Sequence, residues 1–209
     1  MIEYPKIDGP FVRDPKGKVI LGQWRLPEFE YLKDNLWAWT EKIDGTNIRI
    51  GWDGEKVEFG GRTSNSQIPT SLISRLQELF PPEKFGIFDG AKQVVLFGEG
   101  YGARIQKGGG NYKSDGVDFI LFDVWIDGWW LKDEDMRGIA AKLDIDAVPD
   151  CGEASLSGVI ANMSSPTAVC HSHFGEFQLE GFVGKPLVPL SDRRGNRIVV
   201  KLKFKDLIQ

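Results

Sequence analysis

The sequence predicts an α+β protein whose sheets are mainly antiparallel. Two observations carry this. Asp53-Gly54 and Asp127-Gly128 each sit between short apolar runs, the signature of tight hairpins. Segments with helical spacing of apolar residues, 70–80 and 132–144, are interspersed among those hairpins.

In chain order, 37–41 and 47–52 read as strands, and 52–55 turns into a return strand at 56–60. A helix follows, with Thr70 or Ser71 as its cap. Leu72, Leu76 and Phe80 share a face with Ile73 and Leu79, and Pro81-Pro82 end it. Segments 93–99 and 118–125 are too apolar for surface loops and read as buried strands. Another hairpin spans 126–131. Segment 132–144 reads as a helix with acids in its first turn, where they favour the dipole. Strands at 177–185 and 196–204 complete the series.

A length of 209 residues fits one domain, with room for a small appendage. Hydrophobic and charged fractions of 41% and 27% are those of an ordinary globule. No apolar run approaches the ~18–20 residues of a membrane span, and the N-terminus lacks a signal-peptide core. The expectation is a cytoplasmic protein with no membrane partner. Cys151 and Cys170 are too few for a disulfide framework. The net charge of −4 argues against a nonspecific nucleic-acid coat protein. It leaves room for a local basic stripe, Arg193, Arg194, Arg197, Lys201, Lys203 and Lys205, which reads equally as a phosphate-binding surface or a solvated edge strand. The glycine-rich 107–112 lacks the spacing and following helix of a P-loop and reads as a mobile loop. His171 and His173 with Cys151 and Cys170 lack the paired spacing of a zinc site. The seven tryptophans read as core and hairpin packing.

The chemistry lies in an ordered series: "EKIDGTN" (41–47), "FGE" (97–99), "FILFDV" (119–124), "EGFV" (180–183) and "VKLK" (200–203). The K-x-D-G element alone would occur by chance in roughly one chain in twenty of this length; the series is far less probable. A nucleophilic lysine must be neutral, yet only about 0.04% of an unperturbed lysine is free amine at pH 7. Neighbouring positive charge or burial has to favour the free amine, and Lys201 and Lys203, pointing the same way from one strand, supply charge. Glu99 follows an apolar strand and reads equally as a solvated strand-end acid. Phe122, on period 2 with Ile120 and Val124, reads as core. Glu180, set in the apolar strand 177–185, requires a cation or a paired group.

In this order the motifs resemble the covalent nucleotidyltransferase superfamily, polynucleotide ligases and capping enzymes, and within it the bacteriophage RNA ligase 2-like ATP-dependent RNA ligases. "GGRTSNS" (60–66), "FGEGYGARIQKGGGNY" (97–112) and "RRGNRIVVKLK" (193–203) extend the resemblance from about Trp37 onward. It implies a ligase-type, ATP-grasp-like nucleotidyltransferase domain of two twisted, mainly antiparallel sheets with flanking helices. The implied layout is an extension or small subdomain at 1–36 and an adenylylation domain at 37–209. With only six residues after Lys203, the expectation is a stand-alone domain without a C-terminal OB or helical domain, an accessory protein serving in its place.

The resemblance also implies roles. Lys42 would be the adenylylated nucleophile, forming a covalent AMP adduct from ATP, with Lys201 and Lys203 assisting. Glu41 would lie beside the adenine, Asn47 at phosphate, Glu99 at the ribose hydroxyls, and Phe122 under the base. Asp44 and Gly45 complete the nucleotide turn; Asp44 stands where phage relatives often have histidine. Arg62 would bind ribose and the acceptor 5′-phosphate, with Arg49 also fitting a longer K-x-D-G-x-x-x-R pattern. Glu180 would hold Mg2+, and Arg193, Arg194 and Arg197 would meet nucleic acid. The implied activity seals RNA 3′-OH and 5′-phosphate ends, nicked duplexes included, in RNA repair in a phage-infected or bacterial cell. A DNA nick ligase, a guanylyltransferase and an inactive end-binding module are the competing readings.

Overall fold

A computed structural model describes residues 1–208. Contacts divide the described chain into two compact units: Met1–Pro5 with Asp44–Val148, and Lys6–Ile43 with the chain from Pro149 onward. The division falls elsewhere than at residue 36. One crossing falls inside the K-x-D-G motif, so Lys42 and Ile43 belong to one unit and Asp44 and Gly45 to the other.

The first unit is a six-stranded sheet. Its order is Val57–Gly61, Thr46–Trp52, Val94–Gly102, Val117–Ile126, Trp129–Trp130, with Asp146–Ala147 pairing in parallel to Val117–Ile126. Alternation sends Ile48, Ile50, Val94, Leu96, Phe119 and Leu121 to one face. There they pack against Leu72 and Leu76 of the helix Thr70–Leu79 and Met136, Ala140 and Leu143 of the helix Asp133–Leu143. The first of these helices has Pro69, not Thr70 or Ser71, at its N-cap and no side-chain cap bond. Burial of Leu72 and Leu76 on the sheet holds it instead. Truncating either leucine would cost about 2–5 kcal/mol.

Residues 1–5 lie against the opposite face. Arg49 Nη1 donates to the carbonyl of Ile2 at 3.0 Å, and the Ser64 amide donates to Glu3 at 3.2 Å. Tyr4 sets its ring against Phe97, Phe122 and Trp130, with centroids 5.0, 5.0 and 5.7 Å away.

The second unit is a four-stranded antiparallel sheet in the order Asp150–Ser155, Leu36–Glu41, Gly181–Pro186, Val200–Lys203. Trp37 and Trp39 are fully buried in it and donate their ring N–H groups to the carbonyls of Leu32 and Ala154 at 2.9 and 3.0 Å. Gly184 fits because a Cβ there would strike the ring of Trp39. Phe11–Arg13 and Val19–Trp24 form an added hairpin of this unit, and Phe11 joins its core.

Two expected strands are shorter than the sequence suggests. Segment 177–185 breaks into Gly175–Gln178 and Gly181–Pro186, leaving Leu179 and Glu180 between. Gly181 comes so close to the Leu202 carbonyl that a side chain would collide with it. Segment 196–204 is strand only over Val200–Lys203, because Asp192 ties the preceding residues into a turn by accepting from the Arg194 and Asn196 amides at 2.8 Å each.

Candidate active site

In the second unit, the strand Leu36–Glu41 delivers Lys42, whose amide donates to the Gly181 carbonyl at 2.9 Å. Its Nζ lies 2.5 Å from Glu180 Oε2, and Lys203 Nζ lies 2.5 Å from Glu180 Oε1. Glu180 is therefore placed by a break in the strand, not within an apolar strand as expected, and its carboxylate bridges two ammonium groups. Burial raises its pKa, but Lys42 and Lys203 outweigh burial and hold the carboxyl below its usual range. Lys201 and Lys203 alternate with the buried Val200 and Leu202 and share a face, as the period of two requires. Burial pushes the Lys201 pKa down, and the charges of Lys203 and Lys42 push it further, against a smaller opposing effect of Asp8. Two lysines thus share one carboxylate, and a third lies close enough to feel their charge.

Glu41 precedes the nucleophile candidate and is buried, its carboxylate turned toward Ser172 and His173. His171 pairs instead with Glu176 at 2.9 Å. Arg193 and Arg194 are exposed on the turn tied by Asp192, and Arg197, half-buried, bridges to Ser191.

In the first unit, Asp44 and Gly45 form the turn into Thr46–Trp52. The Asp44 amide donates to the Tyr112 hydroxyl at 3.3 Å, and Gln106 donates to the Gly45 carbonyl at 3.2 Å. The glycine-rich 107–112 is thus not a free loop: Gly109–Tyr112 is a short helical turn seated on Gly102 and the motif. Gly45 has no room for a side chain, since a Cβ would meet the Gly100 carbonyl and the Glu99 side chain. Register sets Asn47 opposite Glu99, and Glu99 opposite Ile120, on the face away from the core. The buried Asn47 Oδ1 has no hydrogen-bond partner within the described chain.

Phe122 is not part of a simple alternation. Phe97 pairs with Asp123 while Gly98 pairs with Leu121, so Phe122 is the extra residue of a β-bulge. Leu121 and Val124 reach the core, and Phe122, half-buried, meets Tyr4 edge-on. Tyr4 donates its hydroxyl to Asp123 Oδ2 at 2.9 Å, and Asp123 is 1% exposed. Arg62 is exposed just past the strand Val57–Gly61. Arg49 is 3% exposed and donates to the backbone of Gly61 and Ile2, a structural task.

Sequence reasoning missed Tyr4, Asp123, Tyr112, Ser172 and His173. Their partners lie between 68 and 132 residues away in sequence, a separation no local pattern reveals. Among the described residues, no group of three or more His, Cys, Asp and Glu side chains is arranged to hold a metal. Among the described residues, no helix is long and apolar enough to cross a membrane.

The first unit carries a buried amide beside a strand-end glutamate, and the second carries the lysine cluster, the residues that the ordered motifs singled out. The RNA ligase family model matches residues 35–203, and the chain belongs to that family. No curated protein matches it in sequence. Among solved structures, the Naegleria gruberi RNA ligase with pyrophosphate is similar over 96% of this chain and 61% of its own, at 19% identity and a TM-score of 0.66. A lysine-to-alanine variant of that ligase with ATP and manganese is similar over 97% and 64%, at 17% identity and 0.66. A lysine-to-methionine variant with AMP and manganese is similar over 85% and 52%, at 19% identity and 0.65. These likenesses establish a shared fold. The chain spans 52 to 64% of the length of these three neighbours.

Proposed function

We propose that this protein is an ATP-dependent RNA ligase that joins 3′-OH and 5′-phosphate ends through a lysyl-AMP intermediate on Lys42, acting at nicks in RNA repair. The observation that carries this reading is the pairing of Lys42 and Lys203 with Glu180, with the charge of Lys201 beside them, together with membership of the RNA ligase family.

In the first step the Lys42 amine attacks the α-phosphorus of ATP; the N–P bond forms as the bond to pyrophosphate breaks. Lys201 and Lys203 carry positive charge for the triphosphate and its leaving group. In the second, an oxygen of the RNA 5′-phosphate attacks the adenylyl phosphorus and Lys42 is released. In the third, the 3′-hydroxyl attacks the activated 5′-phosphate and AMP departs.

Glu180 is the carboxylate paired with Lys42 and Lys203. A single carboxylate suits magnesium, which completes its coordination with phosphates and water. Glu180 would hold the ion, which would supply charge neutralisation at the phosphates. Asn47, Glu99 and Phe122 serve the nucleotide at phosphate, ribose and base respectively. Arg62 serves the 5′-phosphate, and Arg193, Arg194 and Arg197 the RNA backbone. Sealing of a nicked RNA duplex with ATP and magnesium tests the assignment. Preferential sealing of a DNA nick, or labelling by GTP, would move it to a DNA ligase or a guanylyltransferase.

A further inference from the structure

The second unit leaves an apolar face uncovered. Six of its exposed large apolar side chains fall in two short segments, Leu26, Tyr31 and Leu36 in one, Leu187, Val188 and Leu190 in the other. Tyr31 is the extreme case at 85% exposure, although the helix Pro27–Tyr31 that carries it buries Phe29. The Leu187 amide donates to the Leu36 carbonyl at 3.4 Å, which sets the two segments side by side. A groove runs between them, lined by Glu28, Tyr31 and Leu32 from the helix side and by Leu190, Arg193 and Ile198 from the turn. The Ile198 amide closes that turn on the Leu190 carbonyl at 2.9 Å. Monomeric proteins rarely leave a large contiguous apolar patch in water.

The charges at the groove say what covers it. Glu28 and Arg193 line it from different sides, and among the described residues neither forms an ion pair. Glu30 on the helix and Arg194 on the turn add an exposed charge of each sign. A nucleic acid needs a surface of positive sign, with rings on which its bases stack. The acids of the helix oppose the first, and Leu36, Leu187, Val188 and Leu190 do not supply the second. A two-fold axis, by contrast, turns the acidic side of one copy toward the basic side of another, so this pattern is complementary to itself. Tyrosine is among the residues that dominate such interfaces, because its ring buries a large area with few rotors to freeze.

We propose that this face of the second unit is the interface of a homodimer, in which the groove receives Tyr31 of a second copy and Glu28 pairs with that copy's Arg193. The two-fold axis makes each contact twice. Arg193 is then taken up by the interface, and Arg194 and Arg197 are left to the RNA backbone. The dimer requires neither Lys42 nor any nucleotide, so it stands or falls separately from the ligase assignment.

The experiment is sedimentation equilibrium of the full chain at about 1–100 μM, a range that brackets interfaces of modest affinity. The wild type should approach twice the mass of the chain at the upper end. Tyr31→Ser should raise the dimer Kd about ten-fold or more. Glu28→Arg and Arg193→Glu, each alone, set like charges across the interface and should do the same. Mixed in equal amounts, these two single variants should associate with each other at near wild-type affinity, because each repulsive pair then becomes an attractive one. A wild type that stays monomeric throughout the range would overturn the inference. So would a dimer that Tyr31→Ser and both charge variants leave intact, or a mixture no more associated than its parts. A monomer whose affinity for a fluorescein-labelled oligoribonucleotide falls in Tyr31→Ser would give the face to RNA and overturn the dimer as well. Circular dichroism confirms that each variant is folded. Should a charge variant not fold, Tyr31→Ser decides, since that side chain stands almost wholly in solvent.

Discussion

Replacing Glu180 with glutamine removes one negative charge from between two ammonium groups while keeping the side chain's shape. Each lysine lies 2.5 Å from a different oxygen, with side chains 16% exposed for Glu180 and 21% for both Lys42 and Lys203. Breaking a fully buried ion pair by removing one partner costs about 3–5 kcal/mol, and an exposed pair contributes about 0–1. These groups are about four-fifths buried and the carboxylate serves two partners, which places the loss at about 2–3 kcal/mol. Like-charge repulsion among the remaining lysines adds to it. For a chain of this size the melting temperature should fall by about 5–10 °C. The assay is thermal melting of nucleotide-free protein followed by circular dichroism, repeated across pH.

The sign of the pH dependence follows from the lowered Glu180 pKa. A carboxyl whose folded pKa lies below its ordinary 4.5 contributes stability that is complete above that value and is lost as pH falls through the folded pKa. The deficit of Glu180→Gln should therefore be full at neutral pH and shrink in acid. A variant melting within about 1 °C of wild type at pH 7, or a deficit that grows on acidification, would refute the reasoning.

Asp118→Asn should destabilise by about 1–2 kcal/mol at pH 7, measured by denaturant unfolding. Burial opposes its ionisation, but Lys113 at 2.7 Å and Arg75 at 3.1 Å outweigh it, so the loss should vanish as pH falls well below 3.8. Tyr4→Phe keeps the ring among Phe97, Phe122 and Trp130 and removes the bond to Asp123, and should cost about 1 kcal/mol. Tyr4→Ala should cost more and weaken ATP affinity in a filter-binding assay, because Phe122 loses its edge-on neighbour.

The elements were legible where local pattern dictates them. The runs 47–52, 93–99 and 118–125 carry their own apolar signal and became the central strands Thr46–Trp52, Val94–Gly102 and Val117–Ile126. The spacing of Lys201 and Lys203 fixed their common face in the same way. Phe122 was misread because period-2 reasoning assumes an unbroken strand, whereas the bulge inserts a residue there. Glu180 was expected inside a strand; the close approach of Gly181 to the Leu202 carbonyl is a tertiary constraint that composition does not express. The same holds for Ser172 and His173, whose bonds to Glu41 appear only when a segment 131 residues from it folds onto it. The N-terminal residues carried no motif, yet Tyr4 lies against the ring the sequence had singled out.

The most direct test of the central claim is covalent labelling. The protein is incubated with magnesium and α-labelled ATP, denatured, and examined for label on the chain, with Lys42→Ala beside it. The account predicts label on the wild type and none on the variant. Label that survives in Lys42→Ala, or no label on wild-type protein stripped of bound AMP, would contradict it.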